Sequence, residues 1–277
     1  LPAHTLADLI EQSSGSPNFR VIGISSHDFH AAGATATQEL AFTTARLAET
    51  YDQLTAKGFT QEQLVPKTIL SVSVGTSYFM EIAKLRALRM LTARLFSAAA
   101  GQTMLMHCQT STFYEATATP YTNLLRATTE AMTAVIGGAD ALTVRPYDAV
   151  SGTMNEFSER IARNVSTLMK AESYLDKVAD PAAGSYYIET VTQQLVEAAW
   201  TLFQQVQNMG GFTKAQEAGS IQQELDNSYA AKVDAVRNGR VLVGVTKFRH
   251  DEGDSESVRS EGDLTGLINR RLAEPFE

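Results

Sequence analysis

Between residues 19 and 172, short apolar runs alternate with helix-length segments, and this alternation constrains the fold more than any other feature of the chain. The strand candidates are residues 20–25, 68–74, 103–108 and 141–144, each bounded by Gly, Pro or polar residues. Helices are expected at 37–57, 79–96, 120–136 and 155–171. They carry apolar side chains at three- and four-residue spacing, and Gly58 and Gly137-Gly138 act as stops. Repeated βα units predict a parallel sheet with right-handed crossovers. Past residue 176 the strand pattern fades. Helices are expected at 190–208, 213–219 and 221–238, with one more apolar run at 241–245. Residues 250–263, rich in Asp, Glu, Ser and Gly, read as a solvated loop.

A complete eight-stranded barrel takes about 250 residues, whereas these units end at residue 172. Four parallel strands left open would expose two edges. A further segment or another chain is therefore expected to cover them.

The segment 19–42, FRVIGISSHDFHAAGATATQELAF, places its polar residues where parallel α/β proteins place their chemistry, at the carboxyl end of a strand. A loop is expected over 25–33, with a helix opening near Ala34. Inside the loop, Asp28-Phe29-His30-Ala31-Ala32-Gly33 spells D-x-H-x-x-G, the pattern by which some proteins give cobalamin a histidine ligand.

Composition narrows the function classes. A net charge of −8 and a pI near 5.2 argue against a nucleic-acid surface. The single cysteine, Cys108, excludes an internal disulfide framework and fits a reducing compartment. No apolar stretch reaches the ~20 residues of a membrane span, and no charged and apolar leader opens the chain. The expected location is the cytoplasm. The chain begins with Leu rather than Met, so a longer parent protein is expected.

Several segments resemble the methylmalonyl-CoA mutase family, in the family's order and over nearly the whole chain. They are AGATATQELAF (32–42), FMEIAKLRALR (79–89), HCQTS (107–111), PYTNLLRATTEAMTAVIGGAD (120–140), NEFSERIARN (155–164), ADPAAGSYYIE (179–189) and VGVTKFR (243–249). The resemblance implies that residues 1–175 form the second half of a TIM (β/α)₈ barrel. Residues 176–277 would form a helical extension toward a cobalamin domain outside this sequence. It also implies an adenosylcobalamin-dependent isomerase whose barrel encloses an acyl-CoA and shields radicals from water.

The family's site residues transfer one at a time. Its S-G-Y-H aligns with Ser25-Ser26-His27-Asp28, so the imidazole that bonds the migrating carbonyl falls at Asp28. A carboxylate there accepts hydrogen bonds and repels developing negative charge. His27, one residue off, is expected to point the other way. The family's P-R-L-S becomes Pro66-Lys67-Thr68-Ile69, so Lys67 keeps charge without the bidentate fork. His107 and Gln109 match. A second substrate glutamine becomes Asp140, and the H-T-N run becomes Thr143-Val144-Arg145. With most substrate-facing positions changed and two acids introduced, the pattern resembles the small, non-catalytic subunit of the heterodimeric members. That subunit would support a catalytic large subunit, which would hold the cofactor and the acyl-CoA.

Two rivals remain open: an active acyl-CoA mutase of altered substrate using His27 or His107, and a cobalamin module ligating through His30. Other features read as structural. Cys108 beside His107 lacks an orienting acid. Gly137-Gly138 precedes a strand rather than a helix. Arg160 and Arg163 share a face with Glu156 and Glu159, and Gly184-Ser185-Tyr186-Tyr187 reads as a tight turn into a helix.

Overall fold

A computed structural model describes residues 2–96, 103–152, 155–250 and 266–277. Most of the solvated loop expected at 250–263 lies outside them. The chain is an α/β protein built on four parallel strands, β1 (Ile22–Ser25), β2 (Thr68–Val74), β3 (Leu105–Thr110) and β4 (Ala141–Thr143), in the order β1-β2-β3-β4. The helices are α1 (Ala3–Gln12), α2 (His27–Ala31), α3 (Ala36–Thr55), α4 (Gln61–Leu64), α5 (Tyr78–Leu95), α6 (Pro120–Ile136), α7 (Glu156–Ala171), α8 (Tyr186–Asn208), α9 (Phe212–Glu217) and α10 (Ser220–Arg237).

Local chemistry explains the boundaries. Thr35 and Gln38 close a reciprocal capping box at the start of α3, and Asn155 caps α7 through its side-chain oxygen. Pro120 occupies the first position of α6 and Gly137 follows its last. Gly184, at φ +77°, makes the turn into α8, which opens at Tyr186, ahead of the expected 190. The apolar run 241–245 is not a strand; it forms a turn with a single bridge from Val243 to Lys247. The loop expected over 25–33 contains the short helix α2.

Each strand shows two unlike faces. Ile22, Ile24, Leu70, Val72, Val74, Met106 and Cys108 are buried in one core with Leu40, Leu47 and Leu54 of α3 and Leu85, Leu88 and Leu91 of α5. α8 lies across α3 and α5 and adds Leu195, Val196, Ala199 and Phe203. Burying each such leucine is worth about 1.5–3 kcal/mol. Burial also pushes the Cys108 thiol up to about 12, so it serves as core rather than nucleophile.

The opposite face stays partly open. Register stacks it in rows: Gly23, Ile69 and Leu105; then Ser25, Ser71, His107 and Ala141; then Ser73, Gln109 and Thr143. Parallel sheets are ordinarily covered on both faces. Here the apolar face carries the helices, and the other face presents mostly polar side chains in its second and third rows.

Candidate functional site

β1 ends at Ser25, yet its alternation carries on: His27, the first residue of α2, continues the series Gly23, Ser25 and lies over the open face. Its Nδ1 meets Ser73 Oγ at 2.7 Å and its Nε2 meets Ser71 Oγ at 2.8 Å. Ser71 Oγ also bonds His107 Nδ1 at 2.7 Å, and His107 Nε2 reaches Thr143 Oγ1 at 2.9 Å. A continuous polar seam, Ser73–His27–Ser71–His107–Thr143, thus crosses β2, β3 and β4. Burial lowers the pKa of His27 to about 4, against the opposing pull of Glu39, and lowers that of His107 as well. Both imidazoles are therefore neutral at pH 7, each with one donor and one acceptor nitrogen, which suits a chain of alternating hydroxyls. Gln109 sits half-buried in the third row beside Ser73 and Thr143.

The expected orientations of His27 and Asp28 are reversed. Asp28 turns away from the open face. Its carboxylate takes Arg46 Nη2 at 2.8 Å and Nη1 at 3.3 Å, and the same guanidinium lies 4.3 Å over Phe29 and 4.8 Å over Phe212. Asp140 is likewise committed, to Arg89 at 3.0 Å and the Met106 amide at 2.7 Å. Neither acid charges the open face, so the expected electrostatic penalty of two added carboxylates does not arise. Lys67 is held away at the amino end of β2, where its ammonium donates to the carbonyls of Ser13 and Ser16 at 2.6 and 2.8 Å and fastens the turn after α1.

His30 is buried with both nitrogens engaged. Nδ1 meets Glu39 Oε2 at 3.1 Å and Nε2 meets Ser111 Oγ at 2.7 Å. Asp28, bonded to Arg46, does not orient this ring. Cobalt ligation through Nε2 would break the Ser111 bond inside the packed core, and the Asp28 of D-x-H-x-x-G is turned away to Arg46, so these residues do not fit the cofactor. Among the described residues no group of three or more His, Cys, Asp or Glu is placed to hold a metal ion, and no helix is long and apolar enough to cross a membrane.

Beneath His30 lies a buried ionic knot that sequence patterning missed. Lys84 Nζ donates to Glu39 Oε2 at 2.7 Å and to the Ser73 carbonyl at 2.8 Å, and pairs with Glu81 Oε2 at 2.5 Å. Ser26 Oγ donates to Glu39 Oε1 at 3.0 Å. Burial alone would raise the Glu39 pKa, but Lys84 and His30 override it and hold the carboxyl at about 2. At the carboxyl end of the strands, Tyr114 and His30 pack directly on Gly75. A Cβ there would lie 2.7 Å from Tyr114 Cε2 and 3.3 Å from His30 Cε1. Phe113 stacks edge-on against both rings.

A family model described as methylmalonyl-CoA mutase matches residues 3–273. The chain belongs to the methylmalonyl-CoA mutase family. It is 40% identical over 239 residues to a protein of Porphyromonas gingivalis named methylmalonyl-CoA mutase small subunit, covering 84% of this chain and 39% of that one. The Escherichia coli methylmalonyl-CoA mutase is 36% identical over 97% of this chain and 38% of its own length. The human mitochondrial enzyme is 34% identical over 96% of this chain and 36% of its own length. The chain thus spans less than two-fifths of these relatives.

Proposed function

We propose that this family member is part of the small subunit of an adenosylcobalamin-dependent methylmalonyl-CoA mutase, which interconverts methylmalonyl-CoA and succinyl-CoA. In this reading the chain is non-catalytic and supports a catalytic large subunit that binds cofactor and acyl-CoA. Residues 1–175 form the second half of a (β/α)₈ barrel and 176–277 a helical extension, in a cytoplasmic heterodimer. The one-sided parallel sheet supports the half-barrel, because the open rows of side chains then become a barrel interior. The silence of the chain rests on one observation: every imidazole nitrogen on the open face is already bonded to a hydroxyl of the sheet itself. Among the described residues no imidazole donor on this face is left over for a substrate carbonyl, and Gln109 and His107 are remnants.

A second reading, an active mutase of altered substrate, is favoured by the placement of His27, which returns an imidazole to the open face although the aligned residue is Asp28. Assaying the full-length subunit alone and with its partner separates the two. Turnover that needs the partner and survives His27→Gln in this chain supports the silent subunit. Turnover by this subunit alone, lost in His27→Gln, sinks it.

A further inference from the structure

The carboxyl ends of β3 and β4 carry a second polar cluster, separate from the seam. Glu115, in the loop after β3, is almost wholly buried, and its Oε2 has no hydrogen-bond partner among the described residues. Arg145, just past β4, is partly exposed as a residue, yet its Nε is buried and equally unpartnered. Asn123 of α6 fastens the two loops together: its Nδ2 donates to the carbonyls of Ala116 and Tyr147, both at 2.9 Å, and its Oδ1 accepts from the Ala116 amide at 3.0 Å. Arg126, one turn along α6, donates to Asn123 Oδ1 at 2.7 Å. From the C-terminal segment, Arg271 donates to the Glu115 carbonyl at 3.3 Å and pairs with Glu277 at 2.9 Å.

Arg145, Arg126 and Arg271 all act electrostatically on this one buried carboxyl, and none of them pairs with it directly among the described residues. The remaining ionisable neighbours are Glu130 of α6, Asp148 in the loop after β4, and Glu277. Burial pushes Glu115 up to about 8 in spite of Arg145, Arg126 and Arg271, and Asp148 pushes it the same way. Burial also raises Glu130 well above the usual carboxylate range, although the Ser111 amide donates to it at 2.8 Å. Near neutral pH Glu115 therefore holds its proton for the most part, and the upward shift of Glu130 acts in the same direction. A protonated Glu115 presents an O–H, and Arg145 presents an N–H. Two donors in one cluster lack an acceptor, which is costly when buried.

We propose that this cluster is an oxyanion site, with Arg145 as the direct ligand and Glu115 donating its proton to a bound phosphate, sulfate or carboxylate group. A guanidinium fork matches two oxygens of such a group, and the carboxyl ends of parallel strands are where α/β proteins hold ligands. Binding an anion favours the protonated acid, so uptake is proton-linked.

The test is calorimetric titration of the full-length protein with inorganic sulfate, which does not itself titrate near neutrality, at pH 8 in two buffers of different ionisation enthalpy. One saturable site is expected, with uptake of about half a proton per sulfate. Arg145→Met should weaken binding at least tenfold and Arg145→Lys less, while Glu115→Gln should keep sulfate binding and abolish the proton uptake. Displacement of sulfate by methyl phosphate or acetate supports a site for the end of a larger molecule, and displacement by inorganic phosphate alone supports a free ion. No saturable sulfate binding, or binding indifferent to Arg145→Met, overturns the site.

Discussion

His27 and His107 share one hydroxyl: Ser71 Oγ lies 2.8 Å from Nε2 of the first and 2.7 Å from Nδ1 of the second. A single serine proton can be donated to only one of them, so the other imidazole must donate to the serine. The tautomers of the two rings are therefore coupled through a residue that carries no charge.

Ser71→Ala should break this coupling. Each imidazole would lose one partner while keeping its bond to Ser73 or Thr143. Leaving partly buried ring nitrogens unmet costs about 1–3 kcal/mol. Chemical denaturation should read that loss, and nitrogen chemical shifts of the rings should show both tautomers where the native chain shows one. Unchanged ring shifts would mean that Ser71 does not join the histidines.

The His27 environment makes a pH prediction with a definite sign. Its folded pKa of about 4 lies below the ordinary 6.5, so between those values the unfolded chain binds the proton first. Stability from this group is present above pH 6.5 and falls away toward pH 4, by up to about 3 kcal/mol. Glu115 runs the other way. Raised to about 8, it favours the folded state at low pH and disfavours it as pH climbs from 4.5. The two slopes oppose each other, so the informative measurement is the difference between native and His27→Gln stability across pH 4–6.5. A difference flat with pH would remove the burial argument for His27.

Parity within the strands was the signal for His27. Residues 23 and 25 pair in register with 69 and 71, and His27, two positions on, bonds Ser73, whereas motif alignment selected residue 28. What could not be read locally was the partner of Asp28, because Arg46 stands 18 residues away on the next helix. β2 was legible to the residue because Leu70-Ser71-Val72-Ser73-Val74 alternates aliphatics with hydroxyls on its two faces. α6 was equally clear, framed by Pro120 and Gly137. α2 spans five residues, too few to show a period. The pairing of Glu39 with Lys84 had no local signal, since their burial comes from α3 and α5 packing on the sheet, a tertiary fact.

The ionic knot should tolerate joint removal better than single removal. Lys84→Met leaves Glu39 and Glu81 buried without their cation, a loss of about 3–5 kcal/mol. Lys84→Met combined with Glu39→Gln and Glu81→Gln removes the stranded charge along with its partner and should recover a large part of that. Melting or denaturant curves of the single and triple variants give the comparison; equal destabilisation of both would show that packing, not charge, sets the cost.

Gly75 tests the packing at the carboxyl end of the sheet. Its φ is not in the left-handed region, so Gly75→Ala imposes no backbone strain there, and its effect reports contact alone. A methyl group 2.7 Å from Tyr114 Cε2 and 3.3 Å from His30 Cε1 forces the tyrosine ring to move, because the imidazole is pinned by Glu39 and Ser111. Such overpacking costs about 1–3 kcal/mol. Tyr114→Ala alone opens a cavity beneath Phe113 and also destabilises. Placed together, the alanine at 75 fills part of the space that the tyrosine vacated, so the double variant should be more stable than the sum of the two single losses implies. Additive losses in that cycle would mean that Tyr114 does not close over Gly75.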